Sequence, residues 1–98
     1  MVELWRLIIE TSVPPEDFPT GATLGYMNVI TWASSAVEAE AKIAAYLKTF
    51  DWHVLEVDQS HRVDDLSDVG EVLQEMIERA RTNENAIILG TFHSYRVN

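Results

Sequence analysis

The stretch Met27-Asn28-Val29-Ile30-Thr31-Trp32-Ala33-Ser34-Ser35-Ala36-Val37-Glu38-Ala39 decides the fold, because a strand pattern gives way to a helix pattern inside it. Residues 27–33 are enriched in β-branched and aromatic side chains, which suit a pleated, half-buried surface. Ser34-Ser35 closes that strand and opens a helix. The Ser35 hydroxyl is placed to accept from the amide three residues on, while the Glu38 carboxylate reaches back, the reciprocal arrangement of a capping box. Beyond the cap, Ala36, Ala39, Ile43, Leu47 and Phe50 recur at spacings of three and four and make one apolar stripe, with Glu38 and Lys42 set for an exposed ion pair. The chain therefore reads as helices packed on a sheet.

Working outward, residues 1–11 form an N-terminal strand rich in Val, Leu, Trp and Ile, which stops before Pro14-Pro15 because proline cannot continue a central ladder. Residues 12–26 hold all three prolines and two of the four glycines and read as a long loop. It is either a functional loop or a connector pinned to the core by Phe18 and Leu24. Its Gly21-Ala22-Thr23-Leu24-Gly25 segment lacks the spacing of a phosphate-binding loop. On the other side of the first helix, residues 52–57 alternate as a strand. Residues 58–65 are polar, and His61-Arg62-Val63 is placed to add a short pairing segment. A second helix follows, with Asp68 and Glu71 repeating the cap logic and Leu66, Val69, Leu73, Met76, Ile77 and Ala80 as its apolar face. Arg79 and Arg81 complement its negative end. Residues 86–97 make a last strand, in which Gly90 marks a bulge or a close backbone approach.

The order strand, loop, strand, helix, strand, helix, strand predicts a single α+β domain spanning residues 1–98. Its core lies at 27–98, with both helices on one face of a four- to five-stranded, mostly antiparallel sheet. Should residues 58–63 supply their own short strand, that core takes the ferredoxin-like, two-layer arrangement with the N-terminal strand added in front. Thr31-Trp32-Ala33, Ser35-Ala36-Val37-Glu38-Ala39 and Phe50-Asp51-Trp52-His53-Val54-Leu55-Glu56-Val57 together resemble segments of several small uncharacterised bacterial α+β proteins. The resemblance covers about a third of the chain. It implies a fold class and carries no activity.

Ninety-eight residues suffice for one core, since a chain of this length buries about 60 to 65% of its unfolded surface. The absence of cysteine excludes a disulfide scaffold and a thiolate zinc site and fits a reducing, cytoplasmic setting. An acid at the third position, with no basic stretch ahead of an apolar run, reads against a signal peptide. No apolar run approaches the ~20 residues that span a bilayer. Sixteen acidic residues against seven basic ones give a net charge of -9, which disfavours nucleic acid and favours solubility or a basic partner.

The strand faces carry more functional information than any motif. In the first strand Trp5, Leu7 and Ile9 take one side and Leu4, Arg6 and Ile8 the other, both apolar enough to be covered. With two helices on one face, the second face would need a partner, most simply a second copy in a homodimer. In the third strand Leu55 and Val57 are expected inward, leaving Val54, Glu56 and Asp58 outward. His93 and Tyr95 share a face in the last strand, where Arg6 and Glu56 are placed to join them in an acid-base pocket. His53, His61 and His93, with Asp58, Asp64 and Asp65, lack metal-site spacing, so neither a metal nor a cofactor is expected. Trp5, Trp32 and Trp52 read as core or interface anchors. From residue 56 to residue 78 there are eight acids against Arg62 alone, and Glu71, Glu75 and Glu78 offer a docking surface for a basic protein.

These features rank a homodimeric binding or regulatory module first. Behind it stand a small dimeric ferredoxin-like enzyme using His93 and Tyr95, and an acidic inhibitor or immunity-type protein. The helix face has its own check: Leu47→Ala should cost roughly 2 to 5 kcal/mol in a denaturant titration as a buried truncation. A loss below about half a kcal/mol would place the stripe on the wrong side.

Overall fold

The computed structural model describes residues 1–95 and places the N-terminal strand in the middle of the sheet. β1 (Glu3–Ser12) pairs antiparallel along its whole length with β2 (Leu24–Ala33). Its other edge pairs antiparallel with β3 (His53–Arg62). Helix α1 (Ala36–Lys48) joins β2 to β3, and α2 (Glu71–Arg81) joins β3 to β4 (Ile87–Leu89) at the far edge. The short β5 (His93–Ser94) adds to β2 beyond β4. The result is an α+β fold with an open, five-stranded antiparallel sheet. Among the described residues no helix is long and apolar enough to cross a membrane.

The N-terminal strand is thus the centre of the sheet, not an addition in front of it. Residues 12–26 likewise change role. Ser12 belongs to β1 and Leu24, Gly25 and Tyr26 to β2, which leaves a connection of residues 13–23 with a 3-10 turn at Pro15–Asp17. Gly25 is a strand residue for a steric reason: a Cβ there would stand 2.5 Å from the Phe92 ring and 2.6 Å from the His93 carbonyl oxygen. Read without its partners, a glycine in that position resembles loop punctuation.

The helices lie on opposite faces, which corrects the expectation that both cover one. α1 buries Ala39, Ile43 and Leu47 against Leu7, Ile9, Met27, Val29 and Ala33, the odd positions of the central strands. α2 buries Met76, Ile77 and Ala80 against Leu4 and Ile30, at even positions, with Trp32 and Ile88 beside them. Side chains alternate across a strand, so two parities of apolar residue mean two buried faces. Each large side chain so removed from water contributes roughly 1.5 to 3 kcal/mol. The apolar part of the second face is therefore covered within the chain, and that apolar area was the physical reason for expecting a second copy on it.

The Ser35 hydroxyl caps α1 by accepting from the Glu38 amide at 3.1 Å. The Glu38 carboxylate turns to Ser34 instead, accepting from its hydroxyl and amide, and Ser34 holds the Glu38 carboxyl below the ordinary carboxylate range. Lys42 does not meet Glu38 in a salt bridge; its ammonium donates to the Trp32 carbonyl at 2.9 Å. Phe50 falls beyond α1 and is 48% exposed. α2 begins later than its acids suggest, with Gly70 as N-cap and no side-chain cap bond from Asp68.

β3 is one continuous ten-residue strand, so residues 58–63 do not supply a separate one. His61 and Arg62 extend it opposite Arg6 and Trp5, and Val63 enters a 3-10 turn. Its register against β1 shifts twice, once on each side of the Glu10↔Glu56 pair. Those irregularities put Val54 and Val57 against the α1 core and leave Leu55 54% exposed, reversing the sides expected for Val54 and Leu55. The last strand is broken as well, because residues 90–92 interrupt the ladder between β4 and β5. Leu89 packs on the α1 side and Phe92 returns to that side near Trp52 and over Gly25, which sends His93 and Tyr95 to the α2 side. Val97 lies outside the described residues.

All three indoles anchor as expected of tryptophan. Trp5 donates to the Ala33 carbonyl at 3.0 Å, Trp32 to the Ala80 carbonyl at 2.8 Å and Trp52 to the Asp17 carboxylate at 2.7 Å. The opposite-face arrangement has a thermodynamic signature. Ile30→Ala and Leu47→Ala remove volume from separate cores, so their losses should add to within about 0.5 kcal/mol in a double-mutant cycle. A coupling well above that would mean that the two side chains share one core.

Candidate functional site

α2 covers only part of its face, because its anchors Leu4, Ile30, Trp32 and Ile88 lie toward one end of the strands. At the other end the same face carries polar groups. The ladder registers align Glu56 of β3, Glu10 of β1, Tyr26 of β2 and His93 of β5 in one cross-strand row. Residues opposite one another in a ladder project to the same side, so these four groups share a surface. Asp58 joins them from the register shift in β3. The carboxylates of Glu10, Glu56 and Asp58 can all come within 4.8 Å of one another, with Glu10 half-buried and the other two exposed.

Tyr95 completes the constellation. Its amide donates to the Leu24 carbonyl at 3.3 Å and its phenol donates to Glu10 Oε1 at 2.5 Å. The Tyr26 and Tyr95 rings lie 5.1 Å apart, tilted by 34°. The bond to Glu10 is the main reason that the Tyr95 phenol is pushed up to about 12; burial and the negative charge of Glu10 add to it. Glu10 also raises the Tyr26 phenol, first through hydrogen bonding, then with burial and the charges of Glu10, Asp58 and Glu56. Ionising either phenol would replace a donor to a carboxylate with a second anion beside it. Both tyrosines therefore remain donors at neutral pH and neither supplies a phenolate base.

Of the residues singled out from sequence, Glu56, His93 and Tyr95 meet on this surface. Arg6 shares the face but stands four residues from Glu10 along β1, about 13 Å away by strand rise. Its guanidinium spans three strands, donating to Asn28 Oδ1 at 3.4 Å and Gln59 Oε1 at 3.3 Å, while its Nε is buried without a partner. His93 also borders a cleft of about 530 Å³ under the first turn of α2, lined with Asn28, Leu73, Met76, Gly90 and Thr91. Tyr95, Glu56 and Arg6 do not line it. The four groups expected in an acid-base pocket are thus spread over an open surface, with three together and one apart.

The histidines are separate: His53 and His61 sit at the two ends of β3, and His93 belongs to the opposite edge. Glu71, Glu75 and Glu78 are exposed on α2, where Glu75 and Glu78 border a shallow cleft with Arg79. Among the described residues, ion-pair contacts join His53 with Asp51, Arg62 with Glu3 and Asp65, and Arg81 with Asp64, so none neutralises Glu10, Glu56 or Asp58.

Glu10 and Tyr26, the middle of the row, are what sequence reasoning missed. A carboxylate at an even position of an otherwise apolar strand was the available signal for Glu10. Its partner stayed hidden because the β1–β2 ladder extends to Leu24, inside a segment that reads as loop. No known protein-family model matches the chain, and no curated protein or solved structure does either.

The raised Tyr95 pKa makes stability depend on pH in one direction. An unfolded tyrosine ionises near 10 and the folded one near 12, so the stabilisation is complete below pH 10 and is lost as pH rises from 10 toward 12. In an ultraviolet phenolate titration the last-ionising tyrosine of the wild type should vanish in Tyr95→Phe. A high-pH phase that persists in that variant would assign it to another residue.

Proposed function

We propose that this chain is a cytoplasmic, single-domain α+β binding module that captures a lysine- or arginine-rich segment of another protein on its acid and tyrosine half-face. One observation carries the proposal: where α2 leaves the sheet open, Glu56, half-buried Glu10, Tyr26 and His93 stand in one row with Asp58 and Tyr95 beside it, and no ion pair among the described residues neutralises the three carboxylates.

Clustered carboxylates raise one another's free energy, and an ammonium or guanidinium group relieves that repulsion. The faces of Tyr26 and Tyr95 add a surface for the same cations, since aromatic quadrupoles attract positive charge. Eight acids between residues 56 and 78, and a net charge of -9, extend the field beyond contact distance and speed encounter with a basic partner. A second copy fits the surface poorly. Two acidic rows would face each other across a symmetry axis, and the apolar sheet face that called for a copy is occupied by α2. Of the three functions weighed from sequence, docking of a basic protein therefore has the most support, with Glu10, Glu56 and Asp58 ahead of Glu71, Glu75 and Glu78 as its centre.

The test is a titration with an oligolysine peptide at low ionic strength, followed by amide chemical shifts. Shifts should concentrate at Glu10, Tyr26, Glu56 and Asp58 and fade with added salt. The double variant Glu56→Gln/Asp58→Asn should bind about tenfold more weakly while keeping its fold, as both side chains are exposed. Shifts confined to α2, or equal binding by the variant, would remove the half-face as the docking site.

A further inference from the structure

We propose that the connection of residues 13–23 is a strap that latches the C-terminal strand β5 onto the sheet and thereby sets whether Tyr95 stands on the acid and tyrosine half-face. Among the described residues the ladder between β5 and β2 is two residues long, Gly25↔Ser94 and Tyr26↔His93. Upstream, the last backbone tie of β4 is the Gly90 amide to the Asn28 carbonyl at 2.8 Å. A ladder so short does not offset the entropy of ordering its own residues, so side chains must hold it.

Phe92 is the first of these. It covers Gly25 on the α1 side of the sheet and stacks on Phe18 of the strap, with ring centroids 4.5 Å apart and planes at 22°. Trp52 flanks both rings, 5.8 Å from Phe18 and 6.2 Å from Phe92, and its indole donates to Asp17, the neighbour of Phe18. The strap is itself pre-shaped. Its base is tied by the Val13 amide to the Thr23 carbonyl at 2.9 Å. Its tip turns at Gly21, whose φ of 71° suits glycine, and Pro14, Pro15 and Pro19 limit its alternatives. Phe18 and Phe92 are both only partly buried, so this contact can open without breaching either core. The second anchor is the Tyr95 phenol on Glu10, on the other face.

Strap and half-face thus touch the same short strand from opposite sides of the sheet. With Phe92 held, β5 lies flat and Tyr95 reaches Glu10; with Phe92 released, the edge of β2 at Gly25 and Tyr26 loses its partner. In its consequence for ligand binding the proposal rests on the half-face being the docking site, because a cation drawn to Glu10 competes with Tyr95 for that carboxylate. The latch itself does not depend on a ligand.

Native-state hydrogen exchange on the full chain, with no peptide present, tests it. Phe18→Ala should speed exchange of the Tyr95 amide by about tenfold, and Asp17→Ala, which spares the aromatic stack, by about threefold. The amides of Gly90 and Val29 should keep wild-type rates in both variants. Unchanged Tyr95 exchange in both would overturn the latch, and so would an equal rise at Tyr95, Gly90 and Val29, which reports general destabilisation. Oligolysine failing to bind the wild type would instead sink the docking proposal and leave the exchange result to decide the strap.

Discussion

β1 is hydrogen-bonded along both edges and apolar on both sides, and the rest of the structure answers that constraint. Leu7 and Ile9 point one way from it and Leu4 the other, and each direction needs its own cover. One helix cannot provide both, because a sheet separates its two faces completely. The chain therefore sends α1 to one side, between two strands that both flank β1, and α2 to the other, between the two edges of the sheet. Loss of that double burial would leave the sheet as an exposed apolar surface, which soluble chains rarely keep.

The same constraint creates the half-face. An eleven-residue helix is about 16 Å long, shorter than the roughly 33 Å of a ten-residue strand, so α2 cannot shield β1 and β2 from end to end. Its apolar anchors gather at one end, and the uncovered end must tolerate water. Glu10, Tyr26, Glu56 and His93 are there because their strand positions project to the α2 side at the end beyond its apolar anchors. The cluster of carboxylates and phenols lies where packing stops. The two register shifts in β3 add to the effect by bringing Asp58 alongside Glu10 and Glu56.

Elements that depend on neighbours in sequence were legible. The cap at Ser35, the stripe of Ala39, Ile43 and Leu47 and the basic last turn of α2 all follow from interactions three or four residues long. The Trp5, Leu7, Ile9 face of β1 was legible for the same reason, since its period is two. Features decided across the sheet were not. Gly25 resembles a turn residue until Phe92 is placed above it, and Leu55 resembles a core residue until the register shift turns it out. His93 and Tyr95 share a face in any unbroken strand, yet which face depends on the interruption at residues 90–92.

From the sequence alone came the acidic α+β character, the two amphipathic helices, and central strands apolar on both sides, because each is a matter of composition or of short-period spacing. Tertiary structure decided that the helices divide between the two faces, that β1 lies at the centre, and that Glu10 is the carboxylate Tyr95 meets. Those outcomes rest on pairings between residues 16 to 85 positions apart, such as Glu10 with Tyr26 and Tyr95. A strand carries on each edge the same repeating donors and acceptors, whatever its side chains, so its local sequence does not say which neighbour will take them.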